Sequence, residues 1–136
     1  MVIRNSEGNV VLAACRQLTG CQDATEAEIT ALEDGLKLAL LWTHLPLTIE
    51  TDCAVALELI KGGSPNFSVY AFQISRVRDL LRERECNCTK VDRSANFVSH
   101  GLAQLGRVQA RTQVWFSQFP PEIAEALDID CNSMNV

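Results

Sequence analysis

No apolar run in this chain of 136 residues approaches the length of a membrane span, and Met1-Val2-Ile3-Arg4-Asn5 does not open like a signal peptide. There is no internal repeat, no P-loop or dinucleotide fingerprint, and no Gly-x-Ser-x-Gly elbow. Nucleotide-cradling glycine loops and α/β-hydrolase chemistry are thereby set aside. Histidine is scarce: His44 and His100 are the only two, both away from any cysteine. The six cysteines are scattered, and Cys86-x-Cys88 lacks the two-residue gap of zinc knuckles and thioredoxin motifs. These features argue against a zinc site and for free thiols in a reducing intracellular compartment, cytoplasm or nucleus. Residues 117–136 contain no lysine or arginine at all.

What is present is ordinary in bulk and uneven in distribution. A hydrophobic fraction of 47% and a charged fraction of 21% suit a soluble globular domain with a real core. The net charge of −5 argues against a nucleic-acid partner until it is divided along the chain. Residues 1–61 carry −5, residues 62–116 carry +4 and residues 117–136 carry −4. The basic part holds Arg76, Arg78, Arg82, Arg84, Lys90 and Arg93. That density permits a phosphate-binding face, and equally a solvated helix face.

Residues 2–4 and 9–16 flank a polar turn with Gly8 and read as a β-hairpin. A long helix starts at Thr25-Glu26-Ala27-Glu28 and runs to about Thr43. Glu28, Ala31, Leu32, Gly35, Leu36 and Ala39 recur at the spacing of one helical face, which places Glu28 at the top of a buried stripe. Thr25-x-x-Glu28 is also a capping box, which would account for the glutamate without chemistry.

Leu47 to Thr51 is then a strand, and Asp52 stands at the joint with a short helix whose apolar side is Val55, Leu59 and Ile60, stopped at Gly62-Gly63. In an α/β sheet this is the edge where ligands bind, and a carboxylate there serves either as helix N-cap or as a metal or acid–base group.

A further helix spans about Ser68 to Glu83, with Val69, Phe72, Ile74, Val77, Leu80 and Leu81 as its apolar side. Cys86 to Val91 is the last strand. A helix beyond Asn96 uses Ala95, Val98, Leu102 and Leu105 as its buried row, with His100 off that row as a surface histidine. Residues 1–111 form the domain, and residues 112–136 an aromatic, diproline and acidic tail that docks on the core or stacks on bases.

Four stretches now resemble one family in order. Val2 to Ala13 is similar to the "VIRDxxGxVxxA" hairpin of plant-type, reverse-transcriptase-like ribonuclease H domains. Ala27 to Ala39 resembles their "AExxALxxGLxLA" helix, and Ile49-Glu50-Thr51-Asp52 their "VESD". Asn96 to Ala103 resembles "ANxVAHxLA", and Trp115 with Pro120-Pro121 is similar to the family's ending.

The resemblance implies an α/β fold: a mixed sheet flanked by helices, here lacking the family's first strand. It implies a two-metal hydrolase that cleaves the RNA strand of an RNA–DNA hybrid with Mg²⁺ or Mn²⁺, the 2′-OH distinguishing RNA from DNA. Glu28 and Asp52 match the metal-holding helix glutamate and strand aspartate. His100 stands where active ribonucleases H carry an aspartate, so two of four acids are missing and activity is expected to be weak or lost. Arg76, Arg78, Arg82, Arg84 and Asn96 would contact the nucleic acid. The gap left by the absent strand is expected to be filled by a shift of the hairpin against Leu47–Asp52, by insertion of Gln113–Phe119, or by a second chain in a homo-oligomer.

Overall fold

The computed structural model of the chain describes residues 1–62, 68–110 and 112–134. These residues form a mixed α/β structure with five α-helices, two sheets and two short 3-10 turns. The chain divides into two compact units, Gly20–Val91 and the pair of segments Met1–Thr19 with Asp92–Val136.

In Gly20–Val91 the longest element is α1, Ala24–Trp42. Its N-cap is Asp23, whose Oδ1 accepts the Glu26 N–H at 2.8 Å, while Glu26 Oε2 accepts the Gln22 N–H at 2.6 Å. The capping box expected at Thr25-x-x-Glu28 is therefore built two residues earlier, and Glu28 falls inside the helix instead of at its cap. The buried residues of α1 are Ile29, Glu33, Leu36 and Ala39, and Ala31 is exposed. The stripe through Glu28 and Ala31 is thus turned by about one residue. Alanine and leucine ring almost the whole of this helix, so periodicity alone did not single out its buried face.

β3, Leu47–Thr51, pairs in parallel with β4, Cys86–Lys90, in the register Leu47 to Cys86 through Thr51 to Lys90. Between them lie α2, Ala54–Lys61, and α3, Ala71–Arg82. Ala56 and Ile60 are the buried residues of α2, whereas Val55 of the expected apolar side is exposed. Gly62 is the C-cap of α2, and the rest of the glycine stop, Gly63 onward to residue 67, lies outside the described residues. Ile74 and Val77 anchor α3, while Val69 and Phe72 are 85% and 73% exposed and do not belong to its core side. One core joins Ile29, Leu36, Ala56, Ile60, Ile74 and Val77, with Leu47 and Ile49 of β3 packed against it.

Helices α1 and α3 run side by side in the same direction, tied at successive levels. Tyr70 Oη donates to Asp23 Oδ2 at 2.5 Å, Gln73 Nε2 to Thr30 Oγ1 at 2.9 Å, and Arg76 to Glu33 Oε2 at 2.7 Å. Arg84 closes the seam at the far end.

In the other unit, β1 (Val2–Arg4) and β2 (Val10–Cys15) form the expected antiparallel hairpin. Gly8 sits in its turn with φ of +86°, a backbone conformation that side chains resist. β5, Gln113–Phe116, adds to the free side of β2 in antiparallel register, Leu12 opposite Phe116. Within the Gln113–Phe119 segment, β5 therefore extends the hairpin sheet, and among the described residues the two sheets run in the orders β1-β2-β5 and β3-β4.

Helix α4, Phe97–Gln109, buries Val98, Leu102, Leu105 and Gly106, close to the expected row; Ala95 lies in the 3-10 turn before it. Helix α5, Ala124–Met134, follows the diproline, so residues 112–136 contribute a strand and a helix to this unit. Its core is Ala13, Cys15, Val98, Leu102, Ile123 and Leu127, with Trp115 packed against it.

Candidate nucleic-acid and metal site

Glu28 is the fifth residue of α1 and is partly buried, next to the fully buried Ile29. Its height on the helix follows from the Asp23 cap. The Asp23 carboxyl is held below the usual carboxylate range by the Tyr70 hydroxyl first and the Glu26 N–H second. The same hydrogen bond holds the Tyr70 phenol above its usual range.

Asp52 follows directly on β3 and is partly buried. The strand is turned into α2 by Thr51, which is 5% exposed: its Oγ1 accepts the Cys53 N–H at 3.1 Å and its carbonyl accepts the Val91 N–H at 3.0 Å. The N-cap position of α2 is Cys53, one residue beyond Asp52. Glu28 and Asp52 belong to the unit Gly20–Val91, Asn96 and His100 to the other. Among the described residues, no group of three or more His, Cys, Asp or Glu side chains is arranged to hold a metal ion.

His100 is exposed on the first turns of α4, and its N–H donates to the Asn96 carbonyl at 3.2 Å. Asn96 occupies the N-cap position, but its side chain makes no cap bond. The cap comes from elsewhere: Asp130 of α5, 1% exposed, accepts the Phe97 N–H on Oδ1 and the Val98 N–H on Oδ2, both at 3.0 Å. A carboxylate on the first N–H groups of a helix meets orphan donors and the positive end of the dipole together.

The four arginines offered for phosphate have different occupations. Arg78 donates through Nε to the Ile60 carbonyl at 3.1 Å and through a terminal nitrogen to the Leu59 carbonyl at 2.6 Å, satisfying the C-terminus of α2. Arg84 does the same for α1, reaching the Leu40 carbonyl at 3.2 Å, Thr43 Oγ1 at 2.9 Å and the Leu45 carbonyl at 3.3 Å. Arg76 pairs with Glu33 and lies over the Phe72 ring, 5.0 Å from its centre. Arg82 stands in solvent, 76% exposed, in a loose pair with Asp79 at 2.9 Å.

A shallow depression of about 250 Å³ beside α1 and α3 is lined by Glu33, Lys37, Arg76, Asp79, Leu80 and Glu83. Its charge is mixed. Glu33 is 2% exposed, and burial opposes its ionisation; hydrogen bonds from Lys37 (2.6 Å) and Arg76 (2.7 Å) overcome this and hold its carboxyl below the ordinary value. Glu33 and Asp130 are buried carboxylates that sequence reasoning missed. The i, i+4 spacing of Glu33 and Lys37 was a legible signal for the first, and nothing local marks the second.

The six cysteines, all among the described residues, form no disulfide, and burial raises the pKa of Cys86 and of Cys88. Among the described residues no helix is long and apolar enough to cross a membrane.

The fold and these positions meet a family. Residues 1–106 match the reverse transcriptase-like family, a ribonuclease H-like group, and the chain belongs to it. Membership carries a nucleic-acid-related function at the level of the family. No curated protein and no solved structure matches the chain.

Proposed function

We propose that this chain is a nucleic-acid-binding ribonuclease H-like domain directed at RNA–DNA hybrids, with Glu28 and Asp52 as its metal-holding carboxylates and with hydrolysis weak or lost. The observation that carries this reading is family membership over residues 1–106 together with two partly buried acids, one inside α1 and one directly after β3.

The donor set fits a hard divalent ion. Two carboxylates supply the oxygen ligands that Mg²⁺ or Mn²⁺ takes from protein, and water and substrate phosphate complete such a shell. When bound, the ion would act as a Lewis acid on phosphodiester oxygens. The chain's own residues then hold and orient: Glu28 from the helix, Asp52 from the strand end. His100 offers an imidazole where active family members place an aspartate, and imidazole is poorly matched to Mg²⁺. That substitution is the reason for reading the hydrolysis as weak or lost.

For the nucleic acid we assign phosphate contacts to Arg82 first and Arg76 second, with Asn96 as a further polar contact. Arg78 and Arg84 hold helix ends, and their loss is read as a loss of stability before a loss of binding.

The deciding experiment measures Mg²⁺- and Mn²⁺-dependent cleavage and salt-dependent binding of an RNA–DNA hybrid by the wild type, Glu28→Gln, Asp52→Asn and His100→Ala. Affinity that falls steeply with salt, with slow cleavage abolished in Asp52→Asn, supports the reading. Salt-dependent binding with no cleavage leaves a binding module that has lost catalysis. Affinity indifferent to salt removes the nucleic-acid assignment, and cleavage unchanged in both acid variants removes the metal site.

A further inference from the structure

Cys86 and Cys88 are the first and third residues of β4; Asn87 between them is exposed, while both cysteines are partly buried. Alternate residues of a strand point to the same face. The register sets Cys86 beside Leu47 and Cys88 beside Ile49, the two β3 residues that pack on the core of Gly20–Val91. Both thiols therefore lie on the face of this sheet that the helices cover, and neither forms a disulfide.

The span between them selects what joins them. Two residues of rise separate their Cα atoms, and their parallel Cβ atoms, by roughly 6.6 Å. A disulfide wants its Cβ atoms about 3.8 Å apart, so direct oxidation would have to buckle β4. A linear ion with two metal–thiolate bonds of about 2.3 Å holds its sulfurs about 4.6 Å apart. Each sulfur reaches that position by leaning about 1 Å inward from an undistorted strand.

Charge agrees with the span. Burial raises both thiols above their ordinary range, and at Cys88 the neighbouring Cys86 adds to it. Positive side chains oppose this, Arg84 at Cys86 and Lys61, the last residue of α2, at Cys88. Two thiolates on a monovalent cation leave one negative charge, and these two side chains flank it. Tetrahedral zinc is not served, because among the described residues no group of three His, Cys, Asp or Glu side chains is arranged to hold an ion.

We infer that Cys86 and Cys88 are a two-coordinate site for a soft monovalent cation of the copper(I) class. Soft thiolates select such ions over harder divalent ones. Binding exchanges two protons for one cation: each S–H bond breaks, each thiolate donates an electron pair to the ion, and the protons pass to water. No electron is transferred. The site stands apart from the reading of Glu28 and Asp52, whose oxygen ligands suit a hard ion.

The test uses the intact, reduced chain and Ag(I), a redox-stable ion of the same class. Thiol alkylation mapped on peptides should show Cys86 and Cys88 protected together at one equivalent, with the partly exposed Cys21, Cys53 and Cys131 still modified. Cu(I) affinity, measured by competition with a coloured chelator, should fall to that of a lone thiol in both Cys86→Ser and Cys88→Ser. It should stay unchanged in Cys53→Ser and fall about tenfold in Lys61→Met, the loss expected for a supporting group that does not itself touch the ion. Should the serine variants fail to fold, the protection pattern of the wild type still decides. Protection of one thiol without the other overturns the inference, as does Cu(I) affinity retained in either serine variant, or displacement of Ag(I) by an equal amount of Zn(II).

Discussion

Two buried carboxylates, one in each unit, are held in opposite ways. Glu33 is neutralised by side chains, the long and half-exposed Lys37 and Arg76, which can swing back into water when their partner is lost. Asp130 is satisfied by backbone N–H groups of Phe97 and Val98, which have nowhere to go. Removing an acceptor costs most when the donors left behind stay buried. Val98 is fully buried, so Asp130 is the more expensive acid to delete. Cationic side chains make a tolerant partner and helix ends an intolerant one.

The largest expected effect is therefore Asp130→Ala, a loss of about 2–4 kcal/mol in a denaturant unfolding series, combining a lost cap with orphaned donors. A loss below that of Glu33→Ala would break the comparison. Glu33→Ala should cost about 1–2 kcal/mol, and a well-packed Glu33→Met less than that, since replacing a buried ion pair by an apolar side chain is often neutral.

The pH dependence sharpens the same contrast. The Glu33 carboxyl titrates below its unfolded value, so its contribution is present above that value and is lost as pH falls through the lower folded one. Glu33→Gln should flatten the acid limb of the stability curve, measured as unfolding midpoint against pH.

Next comes Arg84→Ala, at about 1–2 kcal/mol, because the Ala39 and Leu40 carbonyls in the last turn of α1 lose a charged donor. Arg84→Lys should recover only part, lacking the fork that reaches several acceptors at once. The smallest effect belongs to Arg82→Ala, below about 0.5 kcal/mol, since its pair with Asp79 is exposed. Its signature lies instead in hybrid binding, where the salt slope should fall by about one.

Much of the element order was legible. The hairpin, the strand Leu47–Thr51 and the row Val98, Leu102 and Leu105 appear where period and turn residues put them. Helix faces were less so. In α1 the apolar residues nearly encircle the axis, and the neighbouring helix α3 selected Ile29, Glu33 and Leu36 over Glu28 and Ala31. Val69 and Phe72 looked like core because they are large and apolar, yet α3 begins at Ala71 and turns Phe72 outward, where its ring meets Arg76.

The arginines show the limit most clearly. Their charge is written in the chain, but whether a guanidinium meets solvent or the end of another helix depends on a neighbour some twenty to forty-five positions away. Arg78 met α2 and Arg84 met α1, whereas Arg82 met water.

By itself, then, the sequence determined the alternation of strands and helices, the family to which residues 1–106 belong, and the placing of Glu28 within a helix and Asp52 after a strand. Local period, turn chemistry and short motifs encode those features. The tertiary structure alone decided which acids are buried and which arginines are taken up by helix ends. Each of these depends on the pairing of groups distant in the chain, and only the folded packing brings them within hydrogen-bonding distance.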